Sequence, residues 1–276
     1  MSLTVGLEGG LGNRMRTAAA AAAIAPHIRG KVLAMWAPQW GMACRFRDLF
    51  EPYAEGNFEL RDATLRERIT AARPRPRNLF LPRLTNRLFY GQVLYNEQVQ
   101  PLFQQGFDFV AWGNARSSLL WTWLDFYPWP EIQLHQLFRP LPALQQRIDE
   151  RCDAFSAHTM GVHIRRTDNV QSINESPIEL FYQVIDRELE LHPDTRVYVA
   201  TDDEPTKAAM RQRYGQQRII TSPTAATRDS ASGIQDAVVE MYTLARTCHI
   251  YGSSGSSFSE MAARLGHTPL TILIEN

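Results

Sequence analysis

The chain has 276 residues, 44% of them hydrophobic and 21% charged, the make-up of a globular protein with room for two domains of about 130 residues each. Lys+Arg 29 equals Asp+Glu 29, so charge gives no argument for nucleic acid as a partner. The three cysteines, Cys44, Cys152 and Cys248, are widely spaced, which excludes a disulfide framework or a zinc-binding spacing and suits a reducing compartment. The apolar run over 17–26 is too short to span a bilayer and follows a strand and a glycine turn, unlike a signal peptide, so a cytoplasmic protein is expected.

Residues 3–7 read as a short apolar strand, followed by EGGLGNR and an alanine-rich helix over 14–25. Strand, glycine turn and helix is the arrangement that cradles phosphate in nucleotide-binding α/β folds. The string is neither G-x-G-x-x-G nor a Walker sequence. A tight turn capped by Asn13 therefore stays open beside a ligand role for Gly10, Asn13 and Arg14. Alanines 18–23 suit close packing of this helix on a sheet. Residues 31–37 form a second strand. Over 61–90 eight arginines meet only Asp62 and Glu67, with prolines between them. A solvated, partly mobile insertion is expected there, with peripheral membrane contact or a clamp for an anionic acceptor as the functional alternatives. Residues 107–112 read as a strand. The aromatic group Trp121, Trp123, Phe126, Tyr127 and Trp129 reads as an interdomain core rather than a sugar platform. Apolar residues at helical spacing predict a helix over 142–155, connecting domains at 1–145 and 156–276.

The rest of the chain is organised around TMGVHIRRTDNVQSIN, 159–174. Met160, Val162 and Ile164 alternate as a strand that runs directly into Arg165, Arg166 and Asp168. Guanidinium groups at the carboxyl end of a buried strand match phosphate or carboxylate oxygens in pairs, where open α/β sheets bind ligands. An internal pair with Asp168 is the alternative. Ser176-Pro-Ile-Glu179 predicts a capping box, and strands over 196–200, 218–221, 249–252 and 270–274 alternate with helices over 204–214, 233–247 and 256–265. This is a Rossmann-like parallel sheet.

Three further features fall near strand ends. Thr201-Asp202-Asp203 is either a helix cap or a ligand contact. The loop GSSGSSFSE, with Ser254, Ser256, Ser257 and Phe258, opens a helix and makes an anion site. Asp236 and Glu240 share one helix face, which is either solvated or a reader of guanine N–H groups.

Together these strings resemble the GDP-fucose-dependent fucosyltransferase superfamily. GVHIRRTDN is similar to the H-V-R-R-T-D segment of the α1,6 enzymes, VYVATDDEP to their V-Y-L-A-T-D-D, SSGSSFSEMAA to the serine-rich third motif, and GGLGNRM to the α1,2 group's G-G-L-G-N-Q. The resemblance covers the first 50 residues and most of 159–266; the stretch 61–140 matches no motif of the family. It implies an α/β protein of GT-B architecture, two Rossmann-like domains facing across a cleft, the second holding the donor. It also implies inverting transfer of fucose from GDP-β-L-fucose to a glycan-type acceptor, with no metal or other cofactor. Carried over, Arg165 would hold the diphosphate, with Arg166 and Asp202 beside it. His163 would contact the nucleoside, Glu240 would take the guanine-reading position, and Ser254, Ser256, Ser257 and Phe258 would line the phosphate loop. Gly10, Asn13 and Arg14 would approach from the first domain. The family usually has aspartate where this chain has Glu240, and lysine where it has Asn169. Glu175 is the nearest match to the expected base, with Asp168 and Glu8 as rivals.

Two other readings remain: a nucleotide-sugar-binding protein with no transferase activity, and a hydrolase or kinase using Asp202 and Asp203 with magnesium. Another GDP-sugar as donor is also open. The acceptor, the linkage and the oligomeric state are not encoded in any of these motifs.

Overall fold

The computed structural model describes residues 1–39, 41–75, 78, 80–167, 169–223 and 229–275. The chain divides into two compact units, Met1–Arg139 and Pro140–Asn276.

Unit 1 runs β1 (Ser2–Leu7), α1 (Leu11–Ile24), β2 (Lys31–Trp36), β3 (Tyr53–Glu55), β4 (Phe58–Asp62), α2 (Leu65–Thr70), α3 (Phe80–Phe89), β5 (Gln92–Tyr95), α4 (Asn96–Gln104), α5 (Phe109–Ala115), β6 (Ser118–Thr122) and α6 (Ile132–Leu137). Its six-stranded sheet has the order β3-β4-β2-β1-β6-β5, parallel except for the β3–β4 edge. β1 is therefore central, paired with β2 and β6. Ala18–Ala21 of α1 have no exposed surface, as expected of side chains small enough to let a helix close on its sheet.

Unit 2 runs α7 (Pro142–Cys152), β7 (Thr159–Ile164), α8 (Val170–Glu175), α9 (Ile178–Leu191), β8 (Arg196–Thr201), α10 (Glu204–Tyr214), β9 (Ile219–Thr221), α11 (Ala231–Leu244), β10 (Ile250–Ser253), α12 (Ser257–Gly266) and β11 (Leu270–Leu273). Its five strands are all parallel in the order β11-β10-β7-β8-β9. Met160, Val162 and Ile164 of β7 join Val197, Val199, Phe181, Ile185 and Met210 in one buried cluster. Each such aliphatic side chain contributes roughly 1.5–3 kcal/mol on leaving water. The opposite face of β7 carries Gly161, where a Cβ would fall 2.5 Å from Leu244 Cδ1, so α11 lies directly on the strand.

Several expectations are corrected. Residues 107–112 are not a strand: Asp108 caps α5, its carboxylate accepting from the Ala111 N–H at 2.8 Å, while Phe109 and Gly113, one turn apart, face inward. The strand is β6, every residue of which is buried. The aromatic group divides, with Trp121 and Phe126 in the core of unit 1 and Trp123 39% exposed. The helix expected to connect two domains, α7, belongs to unit 2, where it packs on α11. The arginine-rich stretch is built into unit 1 only in part, since Arg66, Arg68, Arg75, Arg83 and Arg87 are exposed. Arg61 pairs with both oxygens of Glu67 at 2.7 Å, and Glu67 also closes a capping box with Thr64 at the start of α2. Finally, Ser176 forms no capping box. Its hydroxyl donates to the Leu273 carbonyl at 2.5 Å and accepts from the Ser254 N–H at 2.9 Å, satisfying two groups at strand ends. Among the described residues no helix is long and apolar enough to cross a membrane.

Candidate functional site

β8, β7 and β10 are neighbours in the parallel sheet of unit 2, so their carboxyl ends lie side by side. Just beyond those ends come Asp202, Arg165 and Ser254. His163, on the face of β7 away from the aliphatic cluster, stacks on Phe258 with ring centres 4.7 Å apart, and its Nδ1 lies 3.3 Å from Ser256 Oγ. The Arg165 N–H donates to Ser253 Oγ at 3.1 Å, and that hydroxyl donates to the His163 carbonyl at 3.3 Å. Ser256 is the residue before α12, yet its side chain does not cap the helix. The first turn of a ten-residue helix thus begins without a side-chain cap. Amides of this kind and an arginine suit a phosphate.

Two neighbours hold this loop in shape. The Arg166 N–H donates to Asp202 Oδ1 at 2.9 Å, and the Thr167 hydroxyl donates to Oδ2 at 2.6 Å. The Arg166 guanidinium donates to the carbonyls of Ser176 (3.0 Å) and Ile173 (3.4 Å), and burial lowers its pKa. Arg166 and Asp202 therefore brace the strand ends. Asp203 caps α10, accepting from the Thr206 N–H at 2.9 Å. Both carboxylates thus accept hydrogen bonds from the backbone and hydroxyl groups around them. Among the described residues no group of three or more His, Cys, Asp and Glu is placed to hold a metal ion.

Glu175 ends α8, with Oε1 accepting from Gln171 at 2.7 Å and Oε2 from the Ser254 hydroxyl at 2.5 Å. Those hydrogen bonds, that of Ser254 first, hold its pKa below the usual value. Asp168 lies outside the described residues. Ser257 is the first residue of α12, half-buried like Phe258 after it.

On α11 the two acids go different ways, which corrects the solvated-face reading. Asp236 pairs with Arg147 of α7. Glu240 is 4% exposed and accepts from the Ser222 hydroxyl, and burial pushes its carboxyl up to about 7. Lys207, fully buried, donates to Ser222 Oγ at 3.0 Å and to Glu204 Oε1 at 3.1 Å. This network follows β9 at the sheet edge.

In unit 1 the central strand β1 ends on Glu8. Gly9 turns with φ +77°, and a Cβ there would fall 2.7 Å from Asn13 Nδ2, so the turn needs glycine. Gly10 precedes α1 and supplies no side-chain cap. Arg14 is fully buried, donating to the carbonyls of Gly9 (3.0 Å) and Ala37 (2.9 Å) and lying 4.9 Å from the Trp36 ring centre. Burial lowers its pKa to about 9. It fastens the turn to the end of β2. Glu8 Oε1 accepts from Arg73 at 2.6 Å, and Arg73 also reaches Glu97 at 2.7 Å. Glu8 Oε2 is buried and has no hydrogen-bond partner among the described residues. Burial raises the Glu8 pKa despite Arg73. Glu8, Arg73, Arg75, Arg83, Tyr95 and Glu97 line a pocket of about 420 Å³.

No local sequence motif marks Ser176, Ser253, Lys207, Arg73 or Glu97 as a site residue. Lys207 alone carried a signal, as one of two lysines in a chain whose other basic residues are arginine.

Residues 129–257 match the family model of the alpha-(1,6)-fucosyltransferase N- and catalytic domains. No curated protein sequence matches the chain. Among solved structures, NodZ alpha-1,6-fucosyltransferase soaked with GDP-fucose is similar at TM-score 0.66 and 17% identity, over 96% of this chain and 92% of that one. A FUT1 variant from Arabidopsis thaliana in complex with GDP is similar at TM-score 0.60 and 17% identity, over 100% and 70%. POFUT1 in complex with GDP-fucose is similar at TM-score 0.55 and 12% identity, over 99% and 98%. The fold is that of the GT-B glycosyltransferases. The family-model match and the shared fold support the superfamily that the four motifs suggested, the GDP-fucose-dependent fucosyltransferases.

Proposed function

We propose that this chain is a cytoplasmic inverting glycosyltransferase that moves L-fucose from GDP-β-L-fucose to a hydroxyl of a glycan-type acceptor, without a metal. The observation that carries this reading is Arg165 at the carboxyl end of β7, its N–H bound to the Ser253 hydroxyl at the end of β10, together with the uncapped start of α12, the helix that follows β10. Such a site suits a diphosphate, and among the similar proteins NodZ has been soaked with GDP-fucose and POFUT1 solved in complex with it. The acceptor oxygen attacks the anomeric carbon while the bond from that carbon to the diphosphate breaks and its electron pair leaves with GDP. Arg165 and the α12 amides stabilise the charge that develops on the leaving diphosphate. Glu240 in its ionised form accepts from the guanine N–H groups, and His163 on Phe258 lies beside the nucleoside.

The acceptor proton must go to a carboxylate. Glu175 is a weak candidate, since both its oxygens already accept hydrogen bonds and its pKa is lowered. Glu8 has an oxygen with no partner among the described residues and a raised pKa, and it lines a pocket large enough for a sugar. We assign Glu8 as the base on that chemistry, with Glu175 positioning Ser254.

The test is release of GDP from GDP-fucose, alone and across a panel of glycan acceptors, with and without excess chelator. Chelator-independent transfer giving the inverted linkage is the expected result. No release of GDP under any condition would leave a binding protein. Transfer only from another GDP-sugar would correct the donor.

A further inference from the structure

The pair α2 and α3 turns apolar residues outward. The two helices pack together, the Thr85 hydroxyl donating to the Ile69 carbonyl at 3.2 Å. On α3, Pro82 and Asn86 form the buried face. Phe80, Leu84 and Leu88 recur at i, i+4 and i+8 on the opposite side and are 80%, 44% and 71% exposed. On α2, Leu65 and Ile69 repeat the pattern at 76% and 56%. Half of the exposed large hydrophobic side chains among the described residues fall on these two helices. A helix ordinarily puts its apolar stripe against the core; here the stripe faces solvent.

The charges beside it say what covers it. Arg66 and Arg68 flank Leu65 and Ile69, and Arg83 and Arg87 border the stripe of α3. All four arginines are exposed, and none forms an ion pair with a described residue. The single acid of the two helices, Glu67, is held by Arg61. An apolar stripe edged by exposed arginines has the chemistry of a helix lying in the headgroup layer of an anionic bilayer, apolar residues sunk below it and guanidinium groups on the phosphates. We infer that α2 and α3 form a peripheral membrane contact selective for anionic lipid. This inference is independent of the glycosyl-transfer reading.

The experiment is flotation of the full chain with vesicles of phosphatidylcholine alone or of an equal mixture with phosphatidylglycerol. The protein should float with the mixed vesicles and remain behind with the neutral ones. The variant Leu84→Glu/Leu88→Glu should lose flotation. Arg68→Gln/Arg87→Gln should weaken binding to the mixed vesicles by roughly 25-fold, at about fivefold for each arginine near an anionic surface. Both variants change exposed side chains and should melt as the wild type does. No flotation with mixed vesicles, equal flotation with both compositions, or retention of binding by both variants would overturn the proposal. So would a vesicle-free dimer, seen by sedimentation velocity and abolished by Leu84→Glu/Leu88→Glu, which would give the stripe to a second copy of the chain.

Discussion

The central strand of each sheet ends in a turn of opposite chemical character. β1 of unit 1 delivers an acid, Glu8, paired with Arg73 and left with one oxygen that has no partner among the described residues. β7 of unit 2 delivers Arg165, its N–H bound to the Ser253 hydroxyl at the end of β10, the strand before α12. The layouts are alike: a parallel strand, a short turn and helices packed on the sheet. The side chains that follow the strand decide whether the edge is suited to take a proton or to hold an anion. In both units an arginine next to the key residue is spent on the scaffold: Arg14 on the carbonyls of Gly9 and Ala37, Arg166 on those of Ile173 and Ser176.

Substitutions sharpen this contrast. The largest effect is expected for Glu8→Gln, which should lower turnover by about 10²–10⁴, the range for loss of a general base, while leaving GDP affinity unchanged. The wild-type acid limb of the rate profile should lie above the ordinary carboxylate range, because burial raises the Glu8 pKa and only the ionised form accepts a proton. Steady-state rates against pH measure both, and a Glu8→Gln enzyme of near-normal rate would break the comparison. Arg165→Ala should lose at least ~100-fold in turnover, as for removal of one electrostatic contact to a developing charge, and should weaken GDP as well.

Next comes Glu240→Gln. The free protein holds this carboxyl at about 7, whereas guanine binding needs it ionised. The bound state therefore carries fewer protons, and wild-type GDP affinity should fall as pH drops through 7 and level off above it. Calorimetry of the variant should show weaker binding with that dependence gone. The same shift has a stability sign. A carboxyl whose folded pKa is raised favours folding fully below its unfolded value of 4.5 and loses that contribution as pH rises through 7. Glu240→Gln should therefore melt higher than wild type at pH 8. Glu175→Gln should have the smallest effect, a change of a few-fold in rate, since its oxygens serve Ser254 and Gln171.

The alternation of strand and helix in unit 2 was legible because its strands are short apolar runs separated by amphipathic helices. Asp203 was legible too, as a cap two residues from a strand end. In unit 1, Phe107 and Phe109 imitate the period of a strand, and a single cap bond from Asp108 makes the segment a helix instead. Ser176 looked like a cap and proved to join β11 to the Ser254 loop across nearly a hundred residues of sequence, a contact that no local pattern encodes. The network of Lys207, Ser222 and Glu240 is hidden for the same reason, since three separated segments converge to bury it. Glu8 was visible as an acid beside a glycine turn, but its free oxygen depends on Arg73, far along the chain, taking only the other one.

The central claim is that unit 2 holds a guanosine diphosphate through Arg165, and thermal stabilisation tests it most directly. Wild type and Arg165→Ala would be melted with GDP, UDP, ADP or CMP, with and without chelator. A ligand at ~100 times its dissociation constant adds about 2.7 kcal/mol, enough to move the midpoint of a domain this size by several degrees. The account predicts a shift with GDP alone, kept in chelator and lost in Arg165→Ala. A shift with UDP or ADP, one that requires a metal, or one that survives the loss of Arg165 would contradict it.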